Sequence, residues 1–264
     1  MATYIVGDIQ GCFKTFIDLL KVINFNKNGD TIYLLGDFLN RGPSSLAMID
    51  FVYNNQNNIK VILGNHEVFA LSLYYKAKFV SKSHTLQQLL EHKNANKWFD
   101  FLKQQPLIIK HEDNYLVHAG ILPQLSLEEA LTKSHEISQL IQNNPTDFLS
   151  DFYAEHKYSI EDKMSLYEKN KVYLASFIFM RMCYNDFKVD NYYTGTLEDA
   201  PNYLIPWFKL RNDYQKVFFG HWAAIGYLNY NNYFALDSGC GWGKQLSCYC
   251  LESNKLVQVN NLDI

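Results

Sequence analysis

A layered α/β core with a helical insertion is the fold that this 264-residue sequence predicts. Three observations carry that reading. Short apolar runs recur along the chain, and several end in glycine followed at once by a polar residue. Apolar stripes at helical spacing lie between the first of these runs. After Val217, runs that read as strands follow one another without intervening helices.

Tyr4-Ile5-Val6 reads as a buried strand that ends in Gly7-Asp8-Ile9-Gln10-Gly11. The two glycines allow a sharp turn with the backbone close to a ligand. Asp8 then stands at the C-terminal end of a strand, where α/β sheets hold their ligands. Phe13, Phe16, Ile17, Leu19, Leu20 and Ile23 form one helical stripe, and Asn26–Asp30 is a loop by composition. The second strand, Thr31–Leu35, leads into Gly36-Asp37, so the opening has the size of a βαβ unit. A helix is expected to start near Pro43, a residue suited to a first helical turn. The third strand, Ile59–Leu63, runs into Gly64-Asn65-His66-Glu67.

Helical patterns then extend from Val68 to about Leu102, the expected cap beside the site. Leu107–Ile109 resumes as a strand, and Tyr115-Leu116-Val117 delivers His118. Residues 124–176 read as mostly helical, with a break near Asn143-Asn144-Pro145. Asn185–Asn202 is polar and tyrosine-rich, a long loop or irregular hairpin. Strands are expected at Val217–Phe219, which delivers Gly220-His221, then at Tyr233–Leu236, Leu246–Leu251 and Val257–Val259. No repeat and no Gly/Ser- or Pro-rich linker divides the chain. The expectation is one domain over residues 1–264, with helical insertions around 68–105 and 124–176.

Net charge is −3, with no long basic block, so broad electrostatic capture of nucleic acid is not indicated. The five cysteines, Cys12, Cys183, Cys240, Cys248 and Cys250, form no disulfide framework, and no disulfide-linked partner is expected. Cys248 and Cys250 would share one face of a strand as small packed side chains. No run is apolar enough to cross a bilayer, and Met1-Ala2-Thr3 leads directly into a strand. A reducing cytoplasm is the expected compartment, with no membrane partner.

Five strands thus present Asp8, Asp37, Asn65, His118 and His221. A mixed set of carboxylate, amide and imidazole donors suits a borderline divalent metal such as Mn, Fe, Co or Zn. There are more ligands than one ion needs, which points to two. Singly, Asp8 or Asp37 would read as a turn or helix-cap residue; the full set favours metal.

Gly-Asp-x-x-Gly, Gly-Asp-x-x-x-Arg-Gly, Gly-Asn-His-Glu, His-Ala-Gly and Gly-His, in that order, resemble the calcineurin-like metallophosphatases. Essentially the whole chain resembles their symmetric diadenosine tetraphosphatase branch. Phe179-Met180-Arg181-Met182, Pro206-Trp207-Phe208 and Leu236-Asp237-Ser238-Gly239-Cys240 carry that closer likeness. The resemblance implies a layered β-sandwich flanked by helices. It implies symmetric cleavage of diadenosine tetraphosphate to two ADP by a metal-activated hydroxide, and removal of dinucleoside polyphosphate caps from RNA 5′ ends. Two divalent ions would serve, Mn first, with Co, Fe and Mg as alternatives. Asp8 would hold one ion, Asp37 would bridge both, and Asn65, His118 and His221 would complete the second.

Gln10 departs from the wider family, which carries histidine there. Its amide oxygen would ligate the first ion more weakly and lean towards Mn over Zn or Fe. By the same resemblance His66 is the general acid for the leaving phosphate oxygen, a role that suits imidazole. Related protein phosphatases orient this histidine with an aspartate where this chain has Asn40, so either another acid such as Glu67 is its partner or the histidine works without one. Arg41 and Arg181 would grip phosphate through paired hydrogen bonds. Where the family often has a further arginine, this chain has Cys183. Trp222 and Trp242 are candidates to stack on adenine, with core packing favoured for both. His84, His92, His111, His135 and His156 read as solvated surface residues. Two other functional readings stay open: a serine/threonine-type protein phosphatase, and a non-catalytic dinucleotide-binding protein.

Overall fold

The structure, a computed structural model, describes residues 1–76, 85–154, 159–190 and 192–264. The chain opens with β1 (Thr3–Val6), α1 (Phe13–Val22), β2 (Thr31–Leu34), α2 (Ser45–Asn54) and β3 (Ile59–Val61). Helices α3 (Asn65–Tyr74), α4 (Gln87–Leu90) and α5 (Ala95–Leu102) lead to the hairpin of β4 (Ile108–His111) and β5 (Asn114–Val117). Next come α6 (Leu127–Asn143), α7 (Pro145–Ala154) and α8 (Leu166–Phe179). A small sheet of β6 (Met182–Cys183), β7 (Val189–Asp190) and β8 (Ile205–Pro206) follows. The chain closes with β9 (Lys216–Phe219), β10 (Leu228–Tyr230), β11 (Tyr233–Ala235), β12 (Gln245–Cys250) and β13 (Lys255–Asn260).

Two five-stranded sheets result, ordered β13-β12-β1-β2-β3 and β10-β11-β9-β5-β4. Each is built around a parallel trio. In the first sheet β1, β2 and β3 run together; in the second, β5, β9 and β11 do so. Antiparallel strands extend them: β12 and β13 lie beyond β1 in the first sheet, whose other edge is β3, and β10 and β4 form both edges of the second. One apolar layer is shared by the sheets: Ile5, Leu35, Ile62 and Tyr249 from the first meet Leu116, Phe218, Phe234 and Leu236 from the second. The period-2 alternation of a strand sends Val6, neighbour of Ile5, into the separate core that includes Phe16 and Leu19 of α1. The fold is therefore α/β, with mixed sheets flanked by helices.

Local tethers hold the site-bearing loops. Helix α1 has no side-chain cap of its own at Cys12. Instead the Asp263 carboxylate accepts the backbone N–H groups of Lys14 and Thr15 at 3.1 and 2.8 Å, at the positive end of the helix dipole. The C-terminus thereby fixes the helix that follows Gln10. Helices α6 and α8 start on reciprocal caps, Ser126 with Glu129 and Ser165 with Glu168.

Several details differ from expectation. Pro43 precedes α2 and does not occupy its first turn. The chain is still tied to the first loop there: the N–H of Gly42 binds the Gln10 carbonyl at 2.8 Å, and that of Ser44 binds the Gly11 carbonyl at 3.0 Å. Helix α3 starts at Asn65, so Asn65, His66 and Glu67 form its first turn and do not precede it. Strand β10 went unanticipated because it is only three residues long, with Leu228 and Tyr230 half-buried on one face and Asn229 exposed. His92 and His111 are half-buried: His92 stacks on Trp98 at 4.7 Å, and His111 Nδ1 lies 3.1 Å from the Tyr33 hydroxyl. His84 and His156 lie outside the described residues. All five thiols are free and all but Cys250 are buried. Among the described residues, no helix is long and apolar enough to cross a membrane.

Candidate active site

The C-terminal ends of both parallel trios open on one cavity of about 560 Å3. Beyond β1, β2 and β3 stand Asp8, Asp37 and Asn65; beyond β5 and β9 stand His118 and His221. Beyond β11 stands Asp237, a buried carboxylate on the cavity wall to which the sequence reading gave no role. It follows a strand as the other five do, so the same signal was present. Gln10, Asp37, Arg41, Asn65, His66, Arg181 and His221 also line the cavity, whereas Asp8 and His118 lie behind its wall.

Backbone strain concentrates here. Gln10, Asp37, Asn40, Arg41 and His221 all have left-handed φ, between 46° and 70°. Such conformations cost non-glycine residues on the order of 1–3 kcal/mol each and persist only where the surroundings impose them. The Gly7–Gly11 and Gly36–Gly42 turns thus pay in strain to aim side chains at a common point.

The donor set has the chemistry of a cation site. Ligand atoms of Asp37, His118 and His221 all lie within 4.8 Å of one another. His118 Nδ1–H donates to the Leu35 carbonyl at 2.7 Å, which leaves the Nε2 lone pair facing Asn65 Oδ1 at 3.0 Å and Asp37 Oδ1 at 3.4 Å. With this tautomer the Asn65 oxygen, the Asp37 carboxylate and the His118 Nε2 lone pair converge as donors that a cation would accept. His221 Nε2–H donates to the Phe179 carbonyl at 3.0 Å, which leaves Nδ1 free. A second hydrogen bond that fixes the tautomer is the usual support of a metal-binding histidine. Burial pushes both imidazoles below their ordinary value, His221 well below it with help from the Arg181 charge, so both are neutral and able to ligate at neutral pH.

The neighbouring position holds Asp8 and Gln10. Asp8 accepts the His221 N–H, at 3.1 Å through Oδ1, and its pKa is raised well above the ordinary carboxylate range by burial and by the charges of Asp237 and Asp37. Gln10 Oε1 is buried without a hydrogen-bond partner, a state that costs about 1–3 kcal/mol for a neutral acceptor. Gly241 makes room for it, since a Cβ there would stand 2.0 Å from Oε1. A buried acceptor without a partner on the wall of an acidic cavity is an atom that a cation would satisfy. Asp237 is pushed up to about 6, chiefly by burial, while Arg181 and Arg41 pull it down.

His66 is oriented by backbone. Its Nδ1–H donates to the Leu39 carbonyl at 3.0 Å, and Nε2 lies 3.6 Å from Asp37 Oδ2. Its own backbone N–H donates to Asp37 Oδ1 at 2.8 Å from the first turn of α3. Glu67 is not its partner. That buried carboxylate accepts the N–H groups of Asp37, Leu39 and Gly64 at 2.7, 3.1 and 3.0 Å and so ties two site loops together. Burial and the Asp37 charge push it up to about 8, against the pull of those three donors. Asn40 turns away and accepts from Thr85.

The two arginines differ. Arg181 is half-buried, its Nη2 donating to the His221 carbonyl at 3.3 Å. Arg41 is exposed, with its guanidinium 4.3 Å from the Trp242 ring centroid. Trp222 is packed at 2 % exposure and donates Nε1–H to the Gly195 carbonyl. Trp242 overturns the core-packing expectation: it is 59 % exposed at the cavity mouth. Left-handed glycines at 239 and 243 bracket a tight turn that lifts its ring out of the core. Cys183 is fully buried in β6, where burial pushes its thiol up to about 12.

Comparison with known proteins agrees with this geometry. The calcineurin-like phosphoesterase family matches residues 1–224. The symmetrical bis(5'-nucleosyl)-tetraphosphatase of Neisseria meningitidis (serogroup A / serotype 4A) is 35% identical over 263 residues, 98% of this chain and 95% of that protein. The protein of the same name from Cellvibrio japonicus is 37% identical over 269 residues, 98% of each. A solved structure provisionally described as a diadenosine tetraphosphatase superposes with a TM-score of 0.69 at 21% identity, covering 100% of this chain and 95% of that one. A protein serine/threonine phosphatase from Saccharomyces cerevisiae reaches 0.54 at 12%, with 100% and 80% covered. These two likenesses concern the fold alone. Fold and donor group together imply use of a divalent metal.

Proposed function

The chain belongs to the calcineurin-like phosphoesterase family, and from that premise we propose that it hydrolyses diadenosine 5′,5‴-P1,P4-tetraphosphate symmetrically to two ADP. The observation that carries the reading is the convergence of Asp37, His118 and Asn65 donor atoms at the wall of a cavity that also presents Arg41 and Arg181. Asp8, Gln10 and Asp37 would hold one divalent ion; Asp37, Asn65, His118 and His221 would hold a second. Mn is the first choice, with Co, Fe and Mg as alternatives, because Gln10 puts a hard oxygen where imidazole would favour softer ions. Such ions supply an activated water nucleophile and offset charge on the phosphate.

The chain's own residues do the rest. Arg181 and Arg41 bind the phosphoryl oxygens and hold the substrate in line, the preorganised electrostatics on which phosphoryl transfer depends. His66 gives its Nε2 proton to the departing phosphate oxygen, while the Leu39 carbonyl holds Nδ1–H and sets the ring. Glu67 keeps the loops of Asp37 and Asn65 at fixed separation through three backbone N–H groups. The 35% identity to tetraphosphatases over 98% of the chain favours a dinucleotide over a phosphoprotein substrate. Capped RNA 5′ ends are a second substrate class under this reading, and one domain in a reducing cytoplasm is its setting. The test is to incubate metal-stripped protein with diadenosine tetraphosphate, with and without Mn, and to resolve the nucleotides. ADP as sole product, and only with metal, is expected; AMP with ATP, or no turnover despite binding, overturns the reading.

A further inference from the structure

A cation at the cavity mouth has no role in the scheme above. Lys244 lines the cavity, is exposed, and makes no ion pair among the described residues. Its position is built. Its backbone N–H donates to the Gly239 carbonyl at 3.1 Å, and its carbonyl accepts the Asn261 N–H at 2.8 Å. Its stem lies along Gly239, where an added Cβ would meet Lys244 Cδ at 3.0 Å and Cβ and Cγ at 3.5 Å. Gly239 has φ 76°, so the turn both requires glycine and gives the lysine stem its channel. Two residues earlier on this turn stands Trp242, exposed, with Arg41 across one face at 4.3 Å.

We propose that Lys244 and Trp242 form the subsite for the outgoing nucleoside diphosphate, Lys244 on its terminal-side phosphate and Trp242 under its base. The proposal rests on the hydrolase reading and deepens it. Charge matching supports it. The inner cavity, lined by Asp37 and Asp237 with Arg41 and Arg181, would take the phosphate under attack, so a polyphosphate that extends outward needs a further cation for its remaining oxygens. Lys244 is the cavity-lining lysine, and a flexible ammonium suits a phosphate that moves as it leaves. The buried Cys183 thiol offers no such charge. The free indole face is a stacking surface that accepts any base, so purine identity should matter little.

The experiment compares wild type, Lys244→Gln, Lys244→Arg and Trp242→Ala in the Mn-loaded enzyme. Lys244→Gln should raise KM for diadenosine tetraphosphate about tenfold with a smaller change in kcat, and Lys244→Arg should restore most of it. Inhibition by ADP should weaken about as much, while inhibition by orthophosphate, which reaches only the inner end, should weaken less than about twofold. Trp242→Ala should weaken ADP inhibition and leave diguanosine and diadenosine tetraphosphates equally affected. Unchanged KM in Lys244→Gln, or equal loss against ADP and orthophosphate, overturns the subsite. A wild type that releases no ADP instead overturns the hydrolase reading and the subsite with it.

Discussion

The two parallel trios open on the same cavity, yet they bring opposite chemistry to it. The first sheet contributes Asp8 and Asp37, whose carboxylates are approached by backbone N–H groups, and Asn65. The second contributes His118 and His221, whose ring N–H groups are held by backbone carbonyls. Burial drives Asp8 up and both imidazoles down, so each side is pushed towards its neutral form. A cation between them reverses the pressure on the acids and needs the imidazoles neutral. The difference teaches that neither sheet makes a site alone: the carboxylates Asp8 and Asp37 of the first meet imidazoles of the second that are already set in their tautomers, and Asp237 of the second adds a further acid at the cavity wall.

Asp37 is where the two halves touch, so its loss has the largest expected effect. Asp37→Asn keeps the shape but removes the charge that faces both His66 and His118. A fall in kcat of about a thousandfold or more is expected, with loss of bound metal measured by elemental analysis. Near-normal turnover would sink the reading of Asp37 as the shared ligand. His66→Ala tests whether the histidine beside it belongs to the donor group. A kcat loss of about a hundredfold with metal content intact fits a proton donor; loss of metal would make it a ligand.

A third expectation separates the halves by pH, in metal-stripped protein. The depressed imidazoles bind fewer protons folded than unfolded, so their penalty grows as pH falls below the unfolded value of about 6.5. Raised Glu67 works the other way. Unfolded, it is ionised above about pH 4.5; folded, it holds its proton to about 8, so stability drains away as pH rises through that window. Between about pH 6.5 and 8 the imidazoles no longer contribute, and Glu67 by itself should cost about 2 kcal/mol, roughly 4–8 °C in Tm, with raised Asp8 acting in the same direction. Added Mn should raise Tm more at pH 8 than at pH 6.5. A flat Tm across that range would mean that the acids do not carry the strain assigned to them.

What could be read from the residues alone follows from how local the signal is. Asp8, Asp37, Asn65, His118 and His221 each sit one to four residues beyond an apolar strand, a pattern contained within a short window. Asp237 obeys it too, with no glycine before it just as His118 has none, yet the sequence reading takes it only as part of the Leu236–Cys240 segment and gives it no role. The fastening of the site was not legible. The carbonyls of Leu35, Leu39 and Phe179 set three imidazoles, and a backbone oxygen leaves no mark in sequence. Glu67 was visible as an acid beside His66, but that it braces the loops depends on Asp37 and Leu39 arriving from 30 and 28 residues away. Trp242 followed aromatic averages until the Gly239–Gly243 turn placed it in solvent.

The smallest effect expected is also the most specific to this chain. Gln10 is the one first-sheet donor that is neither charged nor hydrogen-bonded, and its side-chain oxygen points into space that Gly241 leaves clear. Histidine tolerates the left-handed backbone at this position better than most residues, so Gln10→His should fold. It would give the first sheet an imidazole of the kind that the second already has, and so erase part of the contrast between them. Zn or Fe should then bind about tenfold more tightly at one of two positions, while Mn changes little, because imidazole is the softer donor. Competition titration of the metal-stripped variant against a chromophoric chelator reads this directly. Identical curves for the two proteins would mean that Gln10 faces no ion, and the first position would rest on Asp8 and Asp37 alone.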